Sequence, residues 1–155
     1  MAGATLEDAI QLAAQAHRGQ RRFNGEPYIL HPLRMMVHLA AALRADSATP
    51  AEVETTLMAA VLHDVVEDTA CTLNDLRQAG YPEAVVAAVD ALTRRQGESY
   101  QAFIARLKPN ALARQVKLAD LRDNMDVLQL PAIQEQDVAR LRQYRAAWDA
   151  LAGER

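Results

Sequence analysis

The sequence predicts an all-α fold, a helical domain formed by residues 1–155 as one unit. Two observations carry this expectation. Alanine and leucine recur at three- and four-residue spacings along nearly the whole chain, and the strict polar/apolar alternation of a half-buried strand is almost absent. Half of the 155 residues are hydrophobic, enough to bury a sizeable core. No internal repeat, low-complexity tract or linker divides the chain.

The elements follow from local signals. Thr5 with Asp8 forms a capping-box pattern and opens a helix through about His17. Residues 17–32, HRGQRRFNGEPYILHP, are polar and broken by Gly19, Gly25 and Pro27, which predicts a loop. Pro32 suits a first helical turn and starts a helix through about Arg44. Thr49, Pro50 and Glu52 start a third, which is expected to run on to about Val66. Thr72 and Asp75 open a short helix that Gly80 closes, and Pro82 opens the next, through about Thr93. Further helices are expected over Glu98–Leu107, Ala111 to about Met125, and Gln134–Leu151.

Composition narrows the function. The formal charge is −3, from 17 Lys plus Arg against 20 Asp plus Glu, so no global polycation invites nucleic acid or an anionic membrane, and any anion site is local. Cys71 stands alone, which excludes an intrachain disulfide and a thiolate cluster. The first residues carry acids rather than a basic leader, and no apolar run approaches the roughly 20 residues that span a bilayer. The expectation is a cytoplasmic protein with a small-molecule partner.

The most informative stretch is VLHDVVEDT, residues 61–69, where His63, Asp64, Glu67 and Asp68 follow the apolar run from Met58 to Leu62. On one continuous helix these four side chains would share a face. A solvated face is the commoner meaning of clustered charge, but buried carboxylates are costly unless paired or bound to a cation. A divalent metal would remove that cost and would need more ligands. His31, where the polar loop turns into a helix, and Asp120, in the mostly apolar VKLADLRDNM, are the candidates. Each also has a plain alternative: His31 as a capping or packing residue, Asp120 as a partner of Lys117 or Arg122. Together with His63 and Asp64 they make a mixed N,O set suited to manganese or a similar ion with coordination positions left open.

Four stretches in order, AHRGQRRFNGEPYILHP (16–32), LHDVVEDT (62–69), ESYQAFIARL (98–107) and VKLADLRDNM (116–125), resemble the HD-superfamily phosphohydrolases. The closer resemblance is to the (p)ppGpp 3′-pyrophosphohydrolase domain of RelA/SpoT-type enzymes and their small single-domain relatives. This resemblance implies an HD-domain helical bundle and hydrolysis of the alarmone ppGpp to GDP and pyrophosphate. It also implies Mn²⁺ held by His31, His63, Asp64 and Asp120, and water positioned or activated by Glu67 and Asp68. The nucleotide is then bound by residues matching Arg22, Lys117 and Asn124. A polyanionic substrate needs cations beside the metal, and Arg18, Arg21, Arg22 and Lys117 are the local supply.

The chain departs from the family pattern at Phe23 and Asn24 and at Leu121, Asp126 and Val127, positions that the resemblance places near base and ribose. Hydrolysis of a different nucleotide or phosphoester therefore stands as an alternative, as does a non-catalytic nucleotide-binding module. No synthetic activity is expected, because a synthetase domain does not fit within 155 residues. His38 reads as a packing or surface residue, His17 as a second-layer group or a helix-terminal charge, Cys71 as an inert thiol, and Tyr100 as a packing or pocket residue. Tyr144 and Trp148, four apart in the last helix, read as core or as a contact in a homo-oligomer.

Overall fold

The computed structural model describes residues 3–153, which contain nine α-helices, one 3₁₀ turn and no strand beyond a single bridge between Arg21 and Pro27. Helix α1 is Leu6–Ala16, α2 Leu30–Ala45, α3 Pro50–Leu62, α4 Val65–Asp68 and α5 Leu73–Gln78. They are followed by α6 Glu83–Leu92, α7 Tyr100–Leu107, α8 Ala111–Asn124, the 3₁₀ turn Val127–Gln129, and α9 Glu135–Ala152. Capping boxes form at Thr5/Asp8, Thr49/Glu52 and Thr72/Asp75, each satisfying two otherwise orphaned backbone donors.

Helix α3 is the hub. Every residue from Thr56 to Leu62 is buried, and α1, α2, α6 and α8 surround it. A helix apolar on all sides must lie inside, and its C-terminal end therefore delivers His63 into the interior. Helix α8 packs on α2, α3 and α6, and α9 closes over α7 and α8.

Three expectations on helix bounds are corrected. The third helix does not continue to Val66. The His63 amide reaches back only to Ala60 O at 3.4 Å, and the His63 ring bonds the same carbonyl through Nδ1 at 2.8 Å, so the side chain competes with the helical ladder. Asp64 then sits at φ −109°, ψ 0°, and its carbonyl accepts Asp68 N–H at 3.0 Å to begin α4. Helix α2 starts two residues ahead of Pro32, and α7 starts at Tyr100 because Ser99, not Glu98, is its cap.

Loop 17–29 is a narrow hairpin-like turn. Arg22 N–H donates to Glu26 O, Gly25 N–H to Arg22 O and Tyr28 N–H to Gln20 O, all at 2.9 Å. Gly25 takes φ +86°, which a side chain would strain, and Asn24 Oδ1 accepts Glu26 N–H at 3.1 Å. The loop thereby presents Arg22 and Tyr28 inward and leads into α2 just ahead of His31.

Glu98 closes the α6–α7 connection. Arg106 donates through Nε to Glu98 Oε2 at 2.7 Å and through Nη2 to Oε1 at 2.9 Å, and also to Thr93 O at 2.9 Å. The guanidinium holds the Glu98 carboxyl at about 2, against an ordinary 4.5. Because its folded value is depressed, its stabilisation is fully present above about pH 4.5 and lost as pH falls toward 2. The melting temperature of the unaltered protein should exceed that of Glu98→Gln at neutral pH, and this gap should close between pH 4.5 and 2 when followed by circular dichroism. A gap unchanged at the acid end would show that Glu98 contributes by packing alone.

Candidate metal centre and active site

Four elements converge on one point. His31 comes from the first turn of α2, His63 and Asp64 from the break between α3 and α4, and Asp120 from α8. His31 Nε2 lies 2.9 Å from Asp120 Oδ1, His63 Nε2 lies 3.0 Å from Asp64 Oδ2 and 3.7 Å from Asp120 Oδ1. Single ligand atoms of His31, His63 and Asp64 fall within 4.8 Å of one another. His31, His63 and Asp120 are buried and Asp64 is partly so.

The donor chemistry fits a divalent cation. His63 uses Nδ1–H on Ala60 O, which leaves Nε2 as the acceptor nitrogen, buried, without a hydrogen-bond partner, and aimed at two carboxylates. His31 also meets an acceptor at Nδ1, Asp123 Oδ2 at 2.6 Å, while its Nε2 is hydrogen-bonded to Asp120 Oδ1 at 2.9 Å. Two imidazole Nε2 atoms and two carboxylates directed at one buried point form a mixed N,O set that suits a divalent cation.

Glu67 and Asp68, on α4, stand at the solvent side, and with Asp64 they form a second group whose carboxylate oxygens lie within 4.8 Å. Glu67 Oε1 accepts the Arg94 amide at 2.7 Å, which fixes its rotamer against the α6–α7 connection. Burial, then the charges of Asp64 and Glu67, push the Asp68 carboxyl up to about 6. Burial raises Glu67 as well, against the Arg94 hydrogen bond, with Asp64 adding to the rise.

The three nucleotide candidates flank Asp120. Lys117 Nζ bonds Asp120 Oδ2 at 2.6 Å, with the Phe103 and Tyr100 ring centroids at 5.3 and 5.8 Å. Burial works against the Lys117 charge, but Asp120 outweighs it and holds the ammonium above its ordinary value. Asn124 Nδ2 bonds Asp120 Oδ1 at 2.8 Å, and its Oδ1 accepts Arg22 Nη2 at 3.0 Å. Arg22 is not a free loop cation: its side chain is 3% exposed and also meets Glu26 at 2.7 Å and Gln129. Arg18 and Arg21 are exposed.

The remaining expectations sort by burial. His17 is 3% exposed, with Nδ1 2.8 Å from Gln20 Oε1 and its ring 4.6 Å from that of Tyr28. Burial lowers its pKa despite the Gln20 bond, so it is a neutral residue behind the site rather than a helix-terminal charge. His38 is exposed, and Tyr144 and Trp148 pack partly buried against the core. Phe23 is 49% exposed, with Arg140 and Arg22 at 4.6 and 4.8 Å from its ring centroid. Asp126, expected beside a ribose or base, caps the 3₁₀ turn through Leu128 N–H at 3.1 Å.

Two supporting residues escaped the sequence reading. Tyr28 donates its hydroxyl to Asp64 Oδ2, and Asp123 accepts from His31. Tyr28 precedes His31 by three positions and Asp123 follows Asp120 by three, so helical spacing from a suspected ligand was the available signal.

The same residues can be set beside known proteins. A family model described as HD domain matches residues 9–145. The chain is 41% identical over 129 residues to a GTP pyrophosphokinase of Streptomyces coelicolor, an alignment that covers 77% of this chain and 14% of that protein. It is 34% identical over 134 residues to the bifunctional (p)ppGpp synthase/hydrolase SpoT of Escherichia coli K12, covering 79% of this chain and 18% of that one. The chain therefore spans less than a fifth of the length of these relatives. Among solved structures it is similar to a metazoan ortholog of SpoT described as hydrolysing ppGpp, with a TM-score of 0.74 and 29% identity over 99% of this chain and 88% of the other. The buried histidine and aspartate pair, its partners on α2 and α8 and the family match over residues 9–145 agree: the chain belongs to the HD domain family.

Proposed function

We propose that the chain is a metal-dependent phosphohydrolase that cleaves ppGpp to GDP and pyrophosphate, with Mn²⁺ as its cofactor. The observation that carries this reading is the buried, unpartnered Nε2 of His63 facing Asp64 and Asp120. The SpoT-like relatives, named for (p)ppGpp hydrolysis, supply the substrate class.

In this proposal His31, His63, Asp64 and Asp120 hold the ion, which when bound supplies a Lewis acid for the phosphoryl oxygens and lowers the pKa of water. Protein groups do the rest. Ala60 O and Asp123 keep the imidazole protons on Nδ1, so that both Nε2 atoms remain donors of a lone pair. Glu67, fixed by Arg94 N–H, and Asp68 orient the attacking water and accept its proton. Lys117 and Asn124, anchored on Asp120, turn toward the phosphates and the nucleotide. Arg22 belongs to this set as well, but it must exchange one of its bonds to Glu26, Asn124 or Gln129 to reach a ligand.

Phe23 offers a stacking face and no hydrogen-bond donor, so discrimination between bases should be weaker than a basic residue there would give. With Mn²⁺, kcat/KM should be highest for ppGpp, lower but measurable for its adenosine counterpart, and lower still for simple 3′-phosphates. Turnover of another phosphoester with neither 3′-pyrophosphate cleaved would remove ppGpp as the substrate and leave the phosphohydrolase. Tight nucleotide binding without any turnover would favour a binding module instead.

A further inference from the structure

We infer that Asp123, clamped by Arg34 and Gln129, is a positioning residue that fixes the tautomer and aim of His31 and thereby sets the affinity of the metal centre. The inference rests on the metal-centre reading above and adds a residue to it.

Both oxygens of Asp123 are fully engaged. Oδ1 accepts Arg34 Nε at 2.8 Å and Gln129 Nε2 at 3.0 Å, and Oδ2 faces His31 Nδ1 at 2.6 Å with Arg34 Nη2 at 3.1 Å. Arg34 is tied at its other edge to Glu26, with Nη2 2.7 Å from Oε1 and Nη1 3.2 Å from Oε2. Two fixed donors therefore leave Oδ2 one direction to point, toward a ring that is 2% exposed.

The consequence is tautomeric. With the Asp123 oxygen accepting at Nδ1, a proton is held there, and Nε2, 2.9 Å from Asp120 Oδ1, is the nitrogen left to give its lone pair to a metal. Without that acceptor the buried Nδ1–H is unpaired, and moving the proton to Nε2, where Asp120 Oδ1 waits at 2.9 Å, removes the defect. A proton on Nε2 competes directly with a metal. Asp123 favours the metal-ready state by making the other tautomer the worse one.

The test is the affinity of the full chain for Mn²⁺ by isothermal titration, with melting temperatures of the metal-free proteins in parallel. Asp123→Ala should weaken binding by about 10- to 100-fold, and Asp123→Asn, which keeps an acceptor but no charge, by less. Arg34→Met removes two of the donors that aim Asp123 and should weaken binding by less than Asp123→Ala, whereas Glu98→Gln, which loosens the α6–α7 connection and touches none of these residues, should lower the melting temperature with under about 3-fold change in affinity. Equal weakening by Glu98→Gln and Asp123→Ala would reduce Asp123 to a structural tie. Wild-type affinity in both Asp123 variants would overturn the inference and leave the metal reading intact. No Mn²⁺ binding by the unaltered protein would overturn both.

Discussion

Asp120→Ala is expected to lose the divalent ion and, with it, the proposed hydrolysis down to background, and to fold less stably as well. The carboxylate is shared four ways: Oδ1 lies 2.9 Å from His31 Nε2, 3.7 Å from His63 Nε2 and 2.8 Å from Asn124 Nδ2, and Oδ2 lies 2.6 Å from Lys117 Nζ. Removing it deletes one ligand and the bridge between the two histidines. It also strands Lys117, whose side chain is 12% exposed, and breaking a buried pair from one side typically costs about 3–5 kcal/mol. The two effects separate in Asp120→Ala combined with Lys117→Met, which should regain much of the stability and none of the metal. Asp64→Ala should lose metal too, with a smaller stability change, since Asp64 is partly exposed and its loss deprives only the Tyr28 hydroxyl of a hydrogen-bond acceptor. Elemental analysis of protein purified without chelator, beside pyrophosphate release, measures both losses. Stoichiometric metal in Asp120→Ala would place the ion elsewhere.

The helices were legible where their causes are local. Thr5/Asp8, Thr49/Glu52 and Thr72/Asp75 announce their helices because a capping box closes within four residues. The break after Leu62 was not legible. Apolar residues run through Val61 and Leu62 to Val65 and Val66 without a glycine or proline, and the interruption comes from the His63 ring taking Ala60 O, a choice made by the buried setting. That break alters the geometry of the cluster: His63 and Asp64 lie at the junction, while Glu67 and Asp68 start afresh on α4.

Site residues divide along the same line. Ionisable groups in apolar stretches reveal themselves one by one, which is how His31, His63, Asp64 and Asp120 could be named from sequence. Their support depends on pairings 92 residues apart for His31 and Asp123 and 36 apart for Tyr28 and Asp64, distances at which a single sequence carries no register. Arg22 illustrates the difference between residue type and state. A basic loop residue was readable, but its burial among Glu26, Asn124 and Gln129 depends on α8 and the turn after it, more than 100 positions downstream.

Glu67→Gln should bind Mn²⁺ like the unaltered protein and hydrolyse about 10² to 10⁴ times more slowly. The glutamine keeps an oxygen for Arg94 N–H, which Glu67 Oε1 now accepts at 2.7 Å, so the α4 conformation and the α6–α7 connection should persist. What it loses is the second, charged oxygen and its basicity. Glu67→Ala removes the tether as well, and its rate should be no higher than that of the glutamine variant. The group that Glu67 shares with Asp64 and Asp68 makes the separation informative, because carboxylate oxygens within 4.8 Å of one another could exchange roles. Asp68 then becomes the only acidic group beside the ligands able to take the proton. Asp68→Asn alone should therefore be the milder variant if Glu67 is the base, and the more damaging one if Asp68 is. Metal titration and kcat on the three variants decide between them, and near-normal turnover by Glu67→Gln with metal in place would remove Glu67 from proton transfer.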